Sequence, residues 1–118
     1  MKVLLIDDEE EFVTTLAERF SLRGIDTDWV TSGSDAIRRA DLTRYDVVVI
    51  DVKMPQMPGL DVMESIHKKH PNVKFIFLTG YSSKECYRAC KEAGACDYLI
   101  KPVKIETLIE KVLEAAQT

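Results

Sequence analysis

A run of four apolar residues that ends in a carboxylate, Val47-Val48-Val49-Ile50-Asp51, constrains the fold of this chain more than any other stretch. Met54 and Pro55 follow closely, so turn signals bound the run. A short apolar run bounded in this way predicts a strand that is buried on both faces, as in a parallel sheet. Asp51 would then stand at the carboxyl end of the strand, where open α/β sheets bind their ligands. Taken alone, an aspartate at that position is also a common turn residue.

Length and charge exclude several classes of protein. A chain of 118 residues predicts one domain with a single core. Its net charge of -4 offers no excess of positive charge for a nucleic-acid backbone, so we expect no direct nucleic-acid binding. No apolar run is long enough for a signal peptide or a membrane span. Three cysteines without an export signal predict reduced thiols in a cytoplasmic protein.

Strand and helix patterns alternate along the whole chain. Apolar runs predict five strands, at residues 2–7, 25–30, 47–51, 73–78 and 97–100. The second of these is the most polar and suits an edge. Apolar residues at helical spacing fill the intervals, most clearly from Ile105 to Leu113. Strands that alternate with helices predict right-handed crossovers and a parallel sheet covered on both faces.

The expected fold is therefore a doubly wound α/β sheet with five flanking helices. We expect the flavodoxin-like strand order 2-1-3-4-5, a common order for such sheets. In that order the first and third strands are neighbours, which brings Asp7 and Asp8 beside Asp51. Three crowded carboxylates repel one another unless a cation lies among them. Mg²⁺ takes oxygen ligands and is commonly shared with a phosphate, so the sequence predicts a magnesium site here.

Two further strand ends carry polar side chains. Thr79 follows the fourth apolar run, and Lys101 ends the fifth immediately before Pro102. Each residue alone is an ordinary turn or surface residue. An aspartate nucleophile, a metal ion, a hydroxyl and a lysine together suit phosphoryl transfer to a carboxylate. Glu9 and Glu10 follow the acidic pair, and we assign them to the first turn of a helix, where the dipole favours negative charge.

From end to end, the chain resembles a response-regulator receiver domain of two-component signalling. The residues that carry the resemblance are Asp7-Asp8, Asp51 with Met54-Pro55, Thr79-Gly80 and residues 97–102. The resemblance implies a single receiver over residues 1–118, with no output domain present. It implies a signalling phosphoacceptor rather than an enzyme of metabolism, because such domains catalyse only their own phosphorylation and dephosphorylation. The phosphoryl donor would be a histidine kinase or a histidine phosphotransfer protein.

The resemblance also implies a role for each residue of the site. Asp51 would be the phosphoacceptor. The groups that would hold Mg²⁺ are Asp7, Asp8, Asp51 and the backbone carbonyl of Lys53. The side chains that would contact the phosphoryl oxygens are those of Thr79 and Lys101. Thr79 and Tyr98 would form a switch that alters the face made by the fourth helix, fifth strand and fifth helix, a possible homodimer surface. The bond between Lys101 and Pro102 would be cis.

One position departs from the family pattern, and two others bear on how long a phosphoryl group would last. Pro58 precedes Gly59 where the family often has a side chain that caps the third helix, so the start of that helix is left open. Lys53 and Tyr81 occupy two positions that the family uses to tune dephosphorylation. A cation and a large ring there would shield an acyl phosphate from water.

Two other classes of protein share this fold, and the sequence fits each of them less well than a receiver. A Mg²⁺-dependent phosphohydrolase places its two aspartates at alternate positions after one strand, whereas Asp7 and Asp8 are adjacent. A flavin carrier needs a hydroxyl-rich or glycine-rich loop after the first strand, where this chain is acidic. Cys86 and Cys90 lie one helical turn apart with Cys96 nearby, and we interpret the first two as buried packing residues rather than a metal or redox site.

Overall fold

Ten elements alternate between strand and helix in the computed structural model, which describes all of residues 1–118. The strands are Lys2–Ile6 (β1), Asp26–Val30 (β2), Val47–Ile50 (β3), Lys74–Thr79 (β4) and Asp97–Ile100 (β5). The helices are Glu10–Leu22 (α1), Gly33–Leu42 (α2), Gly59–Lys69 (α3), Lys84–Glu92 (α4) and Ile105–Ala116 (α5). The strand boundaries lie within one residue of those expected from the sequence.

The strands form one parallel sheet in the order β2-β1-β3-β4-β5, which confirms the predicted doubly wound fold. β1 and β3 are paired so that Ile6 lies beside Ile50. The backbone N–H of Asp51 continues this ladder by donating to the carbonyl oxygen of Ile6 at 3.1 Å. This register brings the residues that follow β1 and β3 to the same point on the edge of the sheet.

The core lies on both faces of the sheet, as the apolar run at residues 47–50 predicts. Val48 and Ile50 pack on the side covered by α2, α3 and α4, whereas Val47 and Val49 pack on the side of α1 and α5. None of the four is more than 3% exposed. Burying four aliphatic side chains, at about 1.5–3 kcal/mol each, makes β3 the centre of the fold.

Capping residues account for some of the helix boundaries. Gly24 and Gly94 follow α1 and α4 with φ angles of 79° and 103°, a left-handed conformation that glycine adopts readily. The Ser32 hydroxyl caps α2 by accepting from the backbone N–H of Asp35. The start of α3, which the sequence left open, is Gly59. Pro58 precedes it and provides no side-chain cap. α2 ends at Leu42, and the backbone N–H of Thr43 after it donates to the Arg39 carbonyl.

The cysteines lie in packing positions, as predicted. Cys90 is fully buried, and Cys86 packs beside it against the core under α4. Cys96 packs on the opposite face of the sheet. Burial, together with the nearby Cys86 thiol, raises the pKa of Cys90 to about 12, so this thiol stays protonated. No helix has both the length and the apolar content that crossing a bilayer requires.

A buried hydroxyl ties the edge of the sheet together and makes the stability dependent on pH. Tyr45 donates to Asp28 at 2.6 Å, and burial followed by this bond raises the pKa of Tyr45 from 10.0 to about 12. A raised folded-state pKa contributes stability below pH 10 that is lost as the pH rises to about 12. We expect Tyr45→Phe to lower the unfolding free energy by about 1–3 kcal/mol at neutral pH.

Urea unfolding at a series of pH values measures this effect. Between pH 10 and about 12 the parent should lose more stability than Tyr45→Phe, because only the parent loses the Tyr45 contribution. Tyr87→Phe is the matched control, since the Tyr87 side chain is exposed. Parallel curves for Tyr45→Phe and the parent would contradict the assignment.

Candidate acidic phosphoacceptor site

Three carboxylates meet where β1 and β3 end. Asp7 and Asp51 are buried, with exposed fractions of 4% and 7%, whereas Asp8 is exposed. Asp7, Asp8 and Asp51 each offer an oxygen, and these oxygens lie within 4.8 Å of one another. The structure therefore brings together the three aspartates that the sequence predicted to be neighbours. An all-oxygen set of this kind fits a hard divalent cation.

Backbone donors orient the two buried carboxylates. The N–H of Glu9 donates to Oδ1 of Asp7 at 2.9 Å, and the N–H of Lys53 donates to Oδ1 of Asp51 at 3.2 Å. In both residues the second oxygen, Oδ2, faces the ammonium group of Lys101. Each carboxylate is thus held by its own loop and directed toward the centre of the site.

Lys101 reaches the site from the end of β5. Its Nζ lies 2.7 Å from Asp7, 3.4 Å from Glu9 and 3.5 Å from Asp51. Burial alone would lower the pKa of Lys101, but the hydrogen bond and charge of Asp7, with the charge of Asp51, raise it. The Lys101–Pro102 bond is cis, as the resemblance implied.

Negative charge exceeds positive charge in the buried part of the site. Burial raises the pKa of Asp7, and the charge of Asp51 acts in the same direction, although bonds from Lys101 and the Glu9 N–H oppose the rise. One ammonium cannot balance two buried carboxylates. A divalent cation beside Asp7, Asp8 and Asp51 would remove the imbalance, so these residues fit Mg²⁺.

Thr79 and Tyr98 are joined through the backbone of a third residue, Tyr81. The Thr79 hydroxyl accepts a hydrogen bond from the N–H of Tyr81 at 3.1 Å. The Tyr98 hydroxyl donates to the carbonyl oxygen of Tyr81 at 2.6 Å. Tyr98 is only 8% exposed, with the Tyr87 ring edge-on at 5.5 Å between centroids. Burial, and then the neighbouring Cys86, raise the pKa of Tyr98.

The loops after β3 and β4 contact each other through Lys53 and Tyr81. The ammonium of Lys53 lies 3.7 Å from the centroid of the Tyr81 ring, a cation–π contact between the two loops. Gly59 packs directly against the first loop, since a Cβ there would lie 2.3 Å from the Asp51 carbonyl oxygen. The two residues at the positions that the family uses to tune dephosphorylation are therefore in direct contact.

Comparison with known proteins places this geometry in a family. The model of the response regulator receiver domain matches residues 3–113. The chain belongs to this family. Receivers of two-component systems are signalling domains that are phosphorylated on an aspartate and bind Mg²⁺ in their acidic pocket.

Curated proteins of similar sequence agree with the assignment of this chain to the receiver family. The transcriptional regulatory protein PrrA of Mycobacterium leprae is 32% identical over 111 residues, which are 94% of this chain and 48% of PrrA. The receiver thus spans about half the length of the curated relatives it matches.

Two solved structures superpose closely on the receiver. A CheY-like receiver domain protein from Methanospirillum hungatei has a TM-score of 0.94 and 27% identity, with 98% of this chain and 93% of that one covered. A response regulator from Burkholderia pseudomallei, solved with a phosphorylated aspartic acid and a calcium ion, has a TM-score of 0.90 and 26% identity. That superposition covers 98% of this chain and 68% of the other.

The structure also shows site contacts that the sequence did not predict. Glu9, assigned only to the helix start, precedes α1, and its carboxylate lies near Lys101. The ring of Phe12, in the first turn of α1, lies 4.2 Å from the same ammonium. Position along the chain was the available signal, because Glu9 and Phe12 both follow the acidic pair Asp7-Asp8 within four residues.

Proposed function

We propose that this receiver accepts a phosphoryl group on Asp51 from a histidine kinase or a histidine phosphotransfer protein. The observation that carries the proposal is the Asp51 carboxylate, buried beside Asp7 and 3.5 Å from the ammonium of Lys101. The phosphorylated aspartic acid of the Burkholderia pseudomallei regulator supports it by similarity.

The proposed reaction is a displacement at phosphorus. An oxygen of Asp51 forms the new P–O bond while the P–N bond of the donor phosphohistidine breaks and its electron pair returns to the imidazole. Lys101 and the Thr79 hydroxyl contact the phosphoryl oxygens. Asp7, Asp8, Asp51 and the backbone carbonyl of Lys53 would hold Mg²⁺, which supplies positive charge against those oxygens.

Two residues outside the reacting groups, Lys53 and Tyr81, would shield the phosphorylated Asp51 from water. Lys53 and Tyr81 lie in contact across the two loops, so together they would limit the approach of water to an acyl phosphate. The receiver would catalyse only its own phosphorylation and dephosphorylation. Three unpaired thiols suit the reducing cytoplasm, where we place it.

Labelling with acetyl phosphate tests the proposed function. Incubation with Mg²⁺ should add one phosphoryl group per chain by intact mass, and hydroxylamine should remove it because an acyl phosphate is labile to this nucleophile. Failure to label, or a label that resists hydroxylamine, would contradict an aspartyl phosphate.

Phosphorylation would be transmitted through Thr79 and Tyr98. In the structure, the Thr79 hydroxyl accepts a hydrogen bond from the Tyr81 N–H at 3.1 Å. New phosphoryl oxygens would draw this hydroxyl away from the Tyr81 N–H. The space behind Thr79 would favour the buried position of Tyr98, which is the position that the structure shows, over an outward one. A ligand shifts such an equilibrium only by its differential affinity, so we expect an outward Tyr98 population without phosphate.

We expect Thr79→Ala to accept phosphate on Asp51 yet lose the response of residues 84–114. NMR shifts across that range, with and without beryllofluoride, measure the response. Thr27→Ala is a matched control, since Thr27 lies on the edge strand β2 and its hydroxyl donates to the Ile25 carbonyl just before that strand. A response in Thr79→Ala as strong as the parent's would show that the coupling runs elsewhere.

The surface that would change is the face formed by α4, β5 and α5. A groove of about 590 Å³ there is bordered by the rings of Tyr87 and Tyr98 and by three cations, Lys84, Arg88 and Lys91. Ile100 on β5 is 41% exposed beside it. Glu92 of α4 borders the same groove and carries the opposite charge, whereas Glu106 of α5 pairs with Arg23 after α1. We propose that this mixed face docks a partner or a second copy through complementary charges.

A further inference from the structure

The ammonium of Lys101 has four close neighbours, and one of them carries no charge. Asp7, Glu9 and Asp51 approach Nζ as carboxylates. The fourth neighbour is the ring of Phe12, whose centroid lies 4.2 Å from Nζ, within the range of a cation–π contact. The side chain of Lys101 is 16% exposed, so the contact is largely shielded from water.

We propose that Phe12 is a positioning residue for Lys101, an inference that rests on the proposed role of this lysine in phosphoryl transfer. The ring attracts the ammonium through its quadrupole, while it accepts no conventional hydrogen bond and adds no negative charge. A carboxylate in its place would occupy an N–H donor and offset the charge that the phosphoryl oxygens need. Phe12 therefore restricts a flexible lysine without competing with the incoming phosphoryl group.

The fold explains why the ring is available for this contact. Phe12 lies in the first turn of α1 and is only half buried, while its neighbour Val13 points into the core. Phe12 and Lys101 border the same cleft between α1 and α5, which has a volume of about 500 Å³. The open cleft gives ring substituents room, so the electronic character of the ring can be changed with little change in packing.

A fluorinated series at position 12 tests the proposal. Replacing Phe12 with 4-fluoro-, 3,5-difluoro- and 3,4,5-trifluorophenylalanine weakens the quadrupole stepwise and keeps the ring. With acetyl phosphate and saturating Mg²⁺, the initial rate of labelling should fall along the series, by about two- to fivefold in all. Phe12→Leu should show a similar loss. Leu16→Ala, which trims the same cleft one turn later, is the packing control and should not reproduce the trend.

A second measurement needs neither phosphate nor metal. Ring current from Phe12 should move the ε-methylene protons of Lys101 upfield in the NMR spectrum of the free protein, and Phe12→Leu should abolish that shift. A flat rate series, or the same Lys101 shift in the parent and Phe12→Leu, would overturn the positioning role. Lys101→Ala labelled at the parent rate would overturn the proposed role of the lysine itself. If Lys101→Ala is labelled slowly but the fluorinated variants are all labelled at the parent rate, only the role assigned to Phe12 is overturned.

Discussion

Asp51→Asn is expected to abolish phosphoryl labelling while the receiver stays folded. The amide is nearly isosteric with the carboxylate, and its oxygen can still accept the 3.2 Å hydrogen bond from the Lys53 N–H. It is not a nucleophile toward phosphorus, because its electron pair is delocalised and it carries no charge. Removing one of two buried carboxylates also relieves the repulsion on Asp7, so the unfolding free energy should not fall.

Intact mass after treatment with acetyl phosphate measures this result. Asp41→Asn is the matched control, because Asp41 is an exposed aspartate that pairs with His70 at the end of α3. The control should be labelled as fully as the parent. Full labelling of Asp51→Asn at another residue would show that the acceptor has been wrongly assigned.

Removal of divalent cations is expected to suppress labelling as completely as loss of the acceptor. Without a cation, the phosphoryl anion must approach Asp7, Asp8 and Asp51, whose oxygens lie within 4.8 Å of one another. Lys101 offers a single positive charge, which is already bonded to Asp7 at 2.7 Å. Repulsion in a partly buried site is screened weakly, so we expect no measurable transfer in excess chelator.

Add-back experiments separate the cation from general salt effects. Excess Mg²⁺ should restore labelling, whereas KCl of the same ionic strength should not. Asp8→Asn should raise the Mg²⁺ concentration needed for half-maximal labelling, since it removes the exposed member of the cluster. Undiminished labelling in chelator would refute a role for a metal.

The sequence predicted the parts of this site that depend on strand ends. An apolar run such as residues 47–50 has one stable position, because both faces must be buried. The polar residue after each strand then lies at the same edge of the sheet. The carboxylate cluster, Thr79 and Lys101 follow from this rule without knowledge of any side-chain rotamer.

Contacts between distant side chains could not be predicted in the same way. The bond from Tyr45 to Asp28 joins the loop before β3 to the edge strand β2. The approach of Lys101 to Phe12 joins residues at opposite ends of the chain, and several rotamers of a long lysine would satisfy the sequence pattern equally. The buried position of Tyr98 is likewise a tertiary property, set by Tyr87 and by the carbonyl of Tyr81.

Tyr81 contacts Thr79, Tyr98 and Lys53 through different groups. Its links to Thr79 and Tyr98 use the main-chain N–H and C=O, whereas its contact with Lys53 uses the ring. Every amino acid except proline supplies both main-chain groups. Under the proposed function, a substitution at residue 81 would therefore alter how long the phosphoryl group persists on Asp51 and would leave the main-chain links from Thr79 to Tyr98 intact. The lifetime of the phosphorylated form and the transmission of the signal would then evolve as separate traits, although one residue serves both.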